Sequence, residues 1–222
     1  METTESNLQE EKLNFNKENI KVFYKNELPQ ILKKVLLNPT HGAYSLFANS
    51  SLFSYRNTLL LMLSIALLYF IAPYLLVGSA IRSFMSFSVL MKSSIAATIF
   101  MIVSSGIAFG IKTLNGKPKF KNELLTGALC GLGLVLLLIM LLVVRIIASE
   151  INIYDLMNIS RLINNAGFLL IIVVYIFLFM ITIFQQSLLA NGTKPALSWY
   201  ISPLAIMAAF YITFKVLKEF LF

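Results

Sequence analysis

The sequence predicts an all-α integral membrane protein, a polytopic transmembrane helical bundle with five spans and a short amphipathic helix before the first span. Hydrophobic residues make up 58% of the 222 residues and charged residues only 13%. Soluble domains have about 45–50% and about 25%, respectively. The apolar residues are also collected into five long runs, each near the ~20 residues that a helix needs to cross a ~30 Å hydrocarbon layer.

The runs lie at about Leu59–Val77, Ser93–Ile111, Leu124–Val144, Ala166–Phe184 and Leu197–Phe214. None of them contains Asp, Glu, Lys, Arg or His. They are continuously apolar, which favours helices, because an open sheet edge in lipid would leave backbone groups without partners. We therefore predict a polar segment over 1–27, disordered or weakly helical, an amphipathic interfacial region over 28–57, and a five-helix transmembrane domain over 58–222.

The basic residues predict the orientation of the chain. If the N-terminal side is cytoplasmic, 12 of the 18 Lys and Arg residues lie on that side and six on the other. Cytoplasmic loops carry the excess of Lys and Arg, so the N-terminus is predicted to be cytoplasmic and the C-terminus to lie on the opposite side. Trp199 and Tyr200 suit the cytoplasmic interface at the start of the last span. The net charge of +8 is scattered among short segments, which argues against nucleic acid as a partner.

The amphipathic helix precedes the first span. Leu28, Ile31, Leu32, Val35 and Leu36 recur at helical spacing, and Asn38-Pro39 ends the pattern. Such a helix is predicted to lie on the inner leaflet with its lysines towards anionic headgroups; the alternative is that it packs on a partner or on the protein's own loops. The basic residues expected at the lipid interface are Lys33, Lys34, Lys117, Lys119 and Lys121.

Two glycine pairs lie near the second loop. Gly106 and Gly110 end the second predicted span, and Gly127 and Gly131 begin the third. Glycines four residues apart share one helix face and let helix backbones approach closely. These four residues are predicted to pack spans two and three into a tight hairpin. Two alternatives are that one pair mediates homodimerisation, and that the spacing reflects only the abundance of glycine in membrane helices.

The sequence offers little for catalysis or for metal binding. His41 is the single histidine and Cys130 the single cysteine, so no catalytic residues, metal ligands or cofactors are predicted. We expect a non-enzymatic membrane organising or adaptor protein whose partners are membrane lipids and either further copies of itself or other membrane proteins. The alternative is a small permease or channel subunit with a neutral polar path through Ser104, Ser105, Thr182 and Gln185. An enzyme acting on lipid is a third alternative, for which the sequence shows no catalytic groups.

The order of these parts resembles one family. A polar N-terminal segment, a short helix ending in Val35-Leu36-Leu37-Asn38-Pro39 and five closely spaced spans are similar to the Yip family of Ypt/Rab-interacting membrane proteins, in particular to its bacterial members. Ser51-Leu52-Phe53-Ser54-Tyr55 stands where eukaryotic members have Asp-Leu-Tyr-Gly-Pro. The resemblance implies an integral membrane protein of unassigned biochemistry and gives no functional residues. The missing eukaryotic signature favours a location in a bacterial plasma membrane.

Overall fold

The structure, a computed structural model, describes residues 16–48, 54–76, 86–114, 116, 118–147 and 159–221. The helices in this part of the chain are α1 (Lys17–Val22), a π-helical segment (Phe23–Glu27), α2 (Leu28–Leu37), α3 (Pro39–Ala48), α4 (Tyr55–Leu76), α5 (Phe87–Thr113), α6 (Phe120–Ile147), α7 (Ile159–Ala190) and α8 (Pro195–Leu221). No strand occurs among the described residues.

Helices α4 to α8 are each long and apolar enough to cross a membrane. This confirms the predicted fold class of five spans preceded by a shorter helix. The helices extend beyond the predicted runs: α4 begins at Tyr55, before Leu59, and α5 begins at Phe87, before Ser93. Polar residues at their ends account for the difference, because the hydrophobicity of a run marks the part in lipid and not the last hydrogen-bonded turn.

Four of the spans form a ring. α5 packs on α6, α6 on α7, α7 on α8 and α8 on α5, while α4 packs outside this ring against α5 and α6. Large side chains that are almost wholly buried fill the interior, among them Phe100, Met101, Met180, Phe184 and Ile206. The outer faces expose large apolar side chains, such as Leu67, Ile171 and Leu204, as expected of surfaces solvated by acyl chains.

Helices α1 to α3 form a cap at one end of the bundle. The chain enters α4 at this end, α5 and α7 finish here, and α6 and α8 start here. Asn38 separates α2 from α3, and its side-chain oxygen accepts hydrogen bonds from the Thr40 hydroxyl and from the backbone N–H of His41 at 2.9 and 3.1 Å. The predicted stop at Asn38-Pro39 is thus also the start of α3, with Pro39 at its first position.

The cap is attached to the spans at several points. α3 packs along α7, and a methyl group at Gly42 would overlap the backbone carbonyl of Lys34, so that only glycine permits this approach of α2 and α3. Tyr24 shares a hydrogen bond of 2.8 Å with Ser64 of α4, and Asn57 of α4 donates to Glu27.

These contacts correct the expectation of disorder or weak helicity for part of the segment 1–27. Residues 17–27 are helical, and Phe23 is completely buried. The reason is tertiary, since an aromatic side chain and two polar side chains meet the bundle in a stretch that is polar on average. Residues 1–15 lie outside the described part of the chain.

Candidate functional site

A polar cluster lies inside the capped end of the bundle. Lys112 in the last turn of α5 and Glu123 in the first turn of α6 form an ion pair, with Nζ and Oε2 2.6 Å apart and both side chains 5% exposed. Lys112 Nζ also donates to Ser187 Oγ of α7 at 2.7 Å. The Ser187 hydroxyl shares a further hydrogen bond of 2.6 Å with Thr126 of α6. The cluster therefore joins three of the five spans.

The positions of these residues follow from the α5–α6 hairpin. Lys112 lies three residues before Asn115 and Glu123 five residues after Pro118, so both lie within two helical turns of one short loop. The ion pair is also favourably placed for the helix dipoles, since a cation belongs at a helix C-terminus and an anion at a helix N-terminus. Ser187 belongs to a different hairpin and reaches the pair because α7 packs on α6.

A cavity of about 200 Å³ adjoins the ion pair. It is bounded by Phe47 and Ala48 of the cap, by Asn122 and by Asn191, as well as by the cluster itself. The centre of the Phe47 ring lies 5.9 Å from Lys112 Nζ, within the range of a cation–π contact. Helix α3 thus covers the ion pair from the side of the cap.

The ion pair corrects an expectation from the sequence. The predicted runs contain no ionisable residue, and Lys112 was one of the 12 Lys and Arg residues assigned to the cytoplasmic side. The structure places Lys112 and Glu123 inside the bundle because α5 and α6 continue past the apolar runs at Ile111 and Leu124. Burial of both is tolerable since each neutralises the other and the remaining partners are hydroxyl groups.

The two glycine pairs have different surroundings. Gly127 lies in the α5–α6 contact, where an added methyl group would overlap the Met101 carbonyl oxygen. A methyl group added at Gly131 would press on the Met101 side chain. Gly106 and Gly110 are exposed, and an added methyl group there would meet no described atom within 4 Å. The expectation that all four glycines pack the hairpin is therefore corrected for Gly106 and Gly110, which face away from α6.

The basic residues predicted at the lipid interface are mostly on the outside. Lys33 and Lys34 are exposed on α2, and Lys119 and Lys121 are exposed near the start of α6. Lys121 Nζ lies 4.8 Å from the centre of the Tyr55 ring. Lys117 lies outside the described residues.

Two of the four residues named for a polar path, Ser105 and Thr182, hydrogen-bond within their own helices. Ser105 donates to the Met101 carbonyl at 2.8 Å, and Thr182 donates to the Leu178 carbonyl at 2.9 Å. Ser104 is buried, and its hydroxyl has no hydrogen-bond partner among the described residues. Gln185 is half-buried in α7, two residues before Ser187.

Comparisons of this chain with protein-family models, with curated proteins and with solved structures find no match. The class of protein therefore follows from the chain itself. Five apolar helices of spanning length make it a helical integral membrane protein that passes the bilayer several times. Its most distinctive site is the buried ion pair Lys112–Glu123 beneath the cap.

Proposed function

We propose that this protein is a non-enzymatic membrane organising or adaptor protein that acts through its cap, by contacts with lipid headgroups and with other membrane proteins. The observation that supports it best is the geometry of α2. This helix buries Ile31 and Val35 and exposes Lys33, Lys34, Leu36 and Leu37. Leu37 is 76% exposed, although it stands at the end of a helix that is fixed to the bundle.

Basic and apolar side chains side by side are typical of helices that lie in the membrane interface. The two alternatives drawn from the sequence for this helix are thus compatible, since its buried face packs on the protein and its other face is available to headgroups or to a partner. The contacts of Tyr24, Glu27 and Gly42 hold that face in a fixed position relative to the spans. A rigid platform suits an adaptor, because little conformational entropy is lost when a partner binds to it.

The residues named for a polar path give less support to the alternative function, a permease or channel subunit. The hydroxyl groups of Ser105 and Thr182 are engaged by carbonyls one turn away in their own helices, a common use of such groups in helix interiors. Ionisable residues inside a membrane bundle often mark a transport path. Here, however, Lys112 and Glu123 are paired with each other at one end of the bundle.

Site-specific photo-crosslinking in native membranes tests the proposal. A photoreactive residue at position 37 is expected to give a reproducible adduct with a membrane protein, a second copy of this chain included, together with lipid. The same residue at position 31 is the matched control, since Ile31 is 4% exposed on the same helix and should link only within the chain. Adducts at position 37 no more frequent than those at position 31 would contradict an adaptor role for the cap.

The proposal includes a location in a bacterial plasma membrane with the cap on the cytoplasmic side. Lys33, Lys34, Lys119 and Lys121 would then meet the anionic inner leaflet. The resemblance to the Yip family remains a prediction.

A further inference from the structure

A second cavity lies on the other side of α3, at the same end of the bundle. Its volume is about 610 Å³. It is open to the surface and is bordered by the first half of α3, the last turn of α7 and the turn that leads into α8. His41 and Tyr44 reach it from α3, and Thr193 and Lys194 reach it from the turn. The volume falls within the ~300–1,000 Å³ that is usual for small-molecule sites.

The turn between α7 and α8 has a defined conformation. Gly192 has a φ of 82°, in the left-handed region that favours glycine. The N–H of Gly192 donates to the Leu189 carbonyl and that of Thr193 to the Leu188 carbonyl, at 2.9 and 3.2 Å. This is the hydrogen-bond pattern of a Schellman C-cap. It turns Thr193 inwards, where the residue is 4% exposed and its hydroxyl oxygen is buried with no hydrogen-bond partner among the described residues.

The chemistry of the cavity suits an anion. Lys194 and His41 are the ionisable groups among its lining residues other than the Tyr44 phenol, and no carboxylate lines it. Helix α8 starts at Pro195, with the N–H of Ser198 bonded to the Lys194 carbonyl at 3.0 Å. The first-turn N–H groups of a helix have no partner within the helix and carry partial positive charge. Charge and hydroxyl donors therefore converge on one space, which α8 borders at Pro195.

Aromatic residues place this cavity at the level of the lipid headgroups. Trp199 and Tyr200 follow one turn after Pro195 in α8 and are 61% and 66% exposed. Exposed Trp and Tyr at the end of a span are typical of the membrane–water interface. An anion that is abundant at this depth is the phosphate of a phospholipid headgroup.

We propose that the cavity formed by His41, Tyr44, Thr193 and Lys194 binds a phosphate group, supplied by the headgroup of an anionic phospholipid. The Lys194 ammonium and the Thr193 hydroxyl would donate to the phosphate oxygens, and the N-terminus of α8 would add its dipole. This proposal rests on the proposed function in one respect, that this end of the bundle meets headgroups. It requires no protein partner.

The test measures thermal unfolding of the full chain in detergent micelles during titration with a short-chain phosphatidylglycerol. The short-chain diacylglycerol, which lacks the phosphate, and inorganic phosphate at matched ionic strength form the two other arms. The variants are Lys194→Gln and Thr193→Val, with Lys21→Gln as the matched control, because Lys21 is an exposed lysine on α1 of the same cap, outside the cavity.

Phosphatidylglycerol is expected to raise the unfolding temperature and diacylglycerol to leave it unchanged. Lys194→Gln should raise the apparent Kd about tenfold or more, the usual effect of losing a charged hydrogen bond. Thr193→Val should raise it several-fold, and Lys21→Gln should leave it within about twofold of wild type. A shift from inorganic phosphate as large as that from the lipid would support the phosphate site and assign it a soluble source.

Three results would overturn the proposal. They are wild-type affinity in both cavity variants, an equal shift with diacylglycerol, and an equal loss of affinity in Lys21→Gln, which would indicate unspecific attraction to a basic surface. The crosslinking at position 37 probes a different face of the cap. If it fails while lipid binding still depends on Lys194, only the adaptor role is contradicted. If crosslinking at position 37 succeeds while lipid binding does not depend on Lys194, only the phosphate site is contradicted.

Discussion

The Lys112 ammonium and the Glu123 carboxylate lie 2.6 Å apart across the α5–α6 hairpin, with both side chains almost fully withdrawn from solvent. Ser187 extends this contact to α7, so that the polar cluster joins three spans at the end where the cap covers them. In apolar surroundings each member of the pair depends on the other, because an unpaired buried charge is far more costly than a buried pair.

A double-mutant cycle should reveal this dependence. Lys112→Met leaves the Glu123 carboxylate buried without its partner, and we expect it to lower the free energy of unfolding in micelles by about 3–5 kcal/mol. The double variant Lys112→Met, Glu123→Leu removes both charges and should recover most of that loss. Denaturant titration followed by circular dichroism measures the free energy of unfolding of the wild type, of each single variant and of the double variant. A double variant less stable than Lys112→Met would show that the two charges do not act as a pair.

The surroundings of the glycines predict opposite outcomes for two leucine substitutions. Gly127→Leu forces a side chain against the Met101 carbonyl, so it should destabilise the bundle by about 1–3 kcal/mol or prevent its assembly. Gly106→Leu is the matched control on an exposed face of α5, and its stability in micelles should stay within about 0.5 kcal/mol of wild type. Equal stabilities of the two variants would contradict the close contact of α5 with α6.

Gly106→Leu also tests the homodimer alternative. If Gly106 and Gly110 pack against a second copy, the substitution should lower the dimer fraction, measured by crosslinking in bilayers, without changing the stability of the single chain. An unchanged dimer fraction, or its absence in wild type, would contradict this alternative.

The attachment of the cap should depend on Gly42. Gly42→Leu cannot fit beside the Lys34 carbonyl, so α2 and α3 should separate, and the backbone of residues 17–48 should become more accessible to protease. Limited proteolysis in micelles, followed by mass spectrometry of the fragments, measures this accessibility. Lys33→Leu is the control, since Lys33 is exposed on α2. The same rate of cleavage in Gly42→Leu as in wild type would contradict a rigid cap.

Hydrophobicity was sufficient to predict the five spans, because each run is long enough to cross the bilayer and free of charge. It could not predict the ion pair, since Lys112 and Glu123 lie one residue outside the runs that end at Ile111 and begin at Leu124. The sequence did contain a signal for the pair, namely opposite charges at the end of α5 and at the start of α6, on either side of a short loop. The contribution of Ser187 required tertiary structure, because it belongs to a helix distant in sequence.

The glycine pairs show the limit of spacing as a predictor. Both pairs have the same four-residue spacing, yet Gly127 faces α5 and Gly106 faces outwards. Spacing shows that two residues share a helix face, but only the packing of the neighbouring helix shows which face is covered. For the same reason the sequence predicted the amphipathic pattern of α2 without showing that Ile31 and Val35 pack on the protein itself.

The number of spans is tested most directly by labelling the two ends of the described chain. In a Cys130→Ala background, Lys33→Cys and Lys218→Cys each introduce a single cysteine that reagents can reach, since both positions are exposed in the structure. A membrane-impermeant maleimide added to intact cells should label position 218, and position 33 should react only after the membrane is opened. Labelling of both positions from the same side would require an even number of spans and would contradict the five-span bundle.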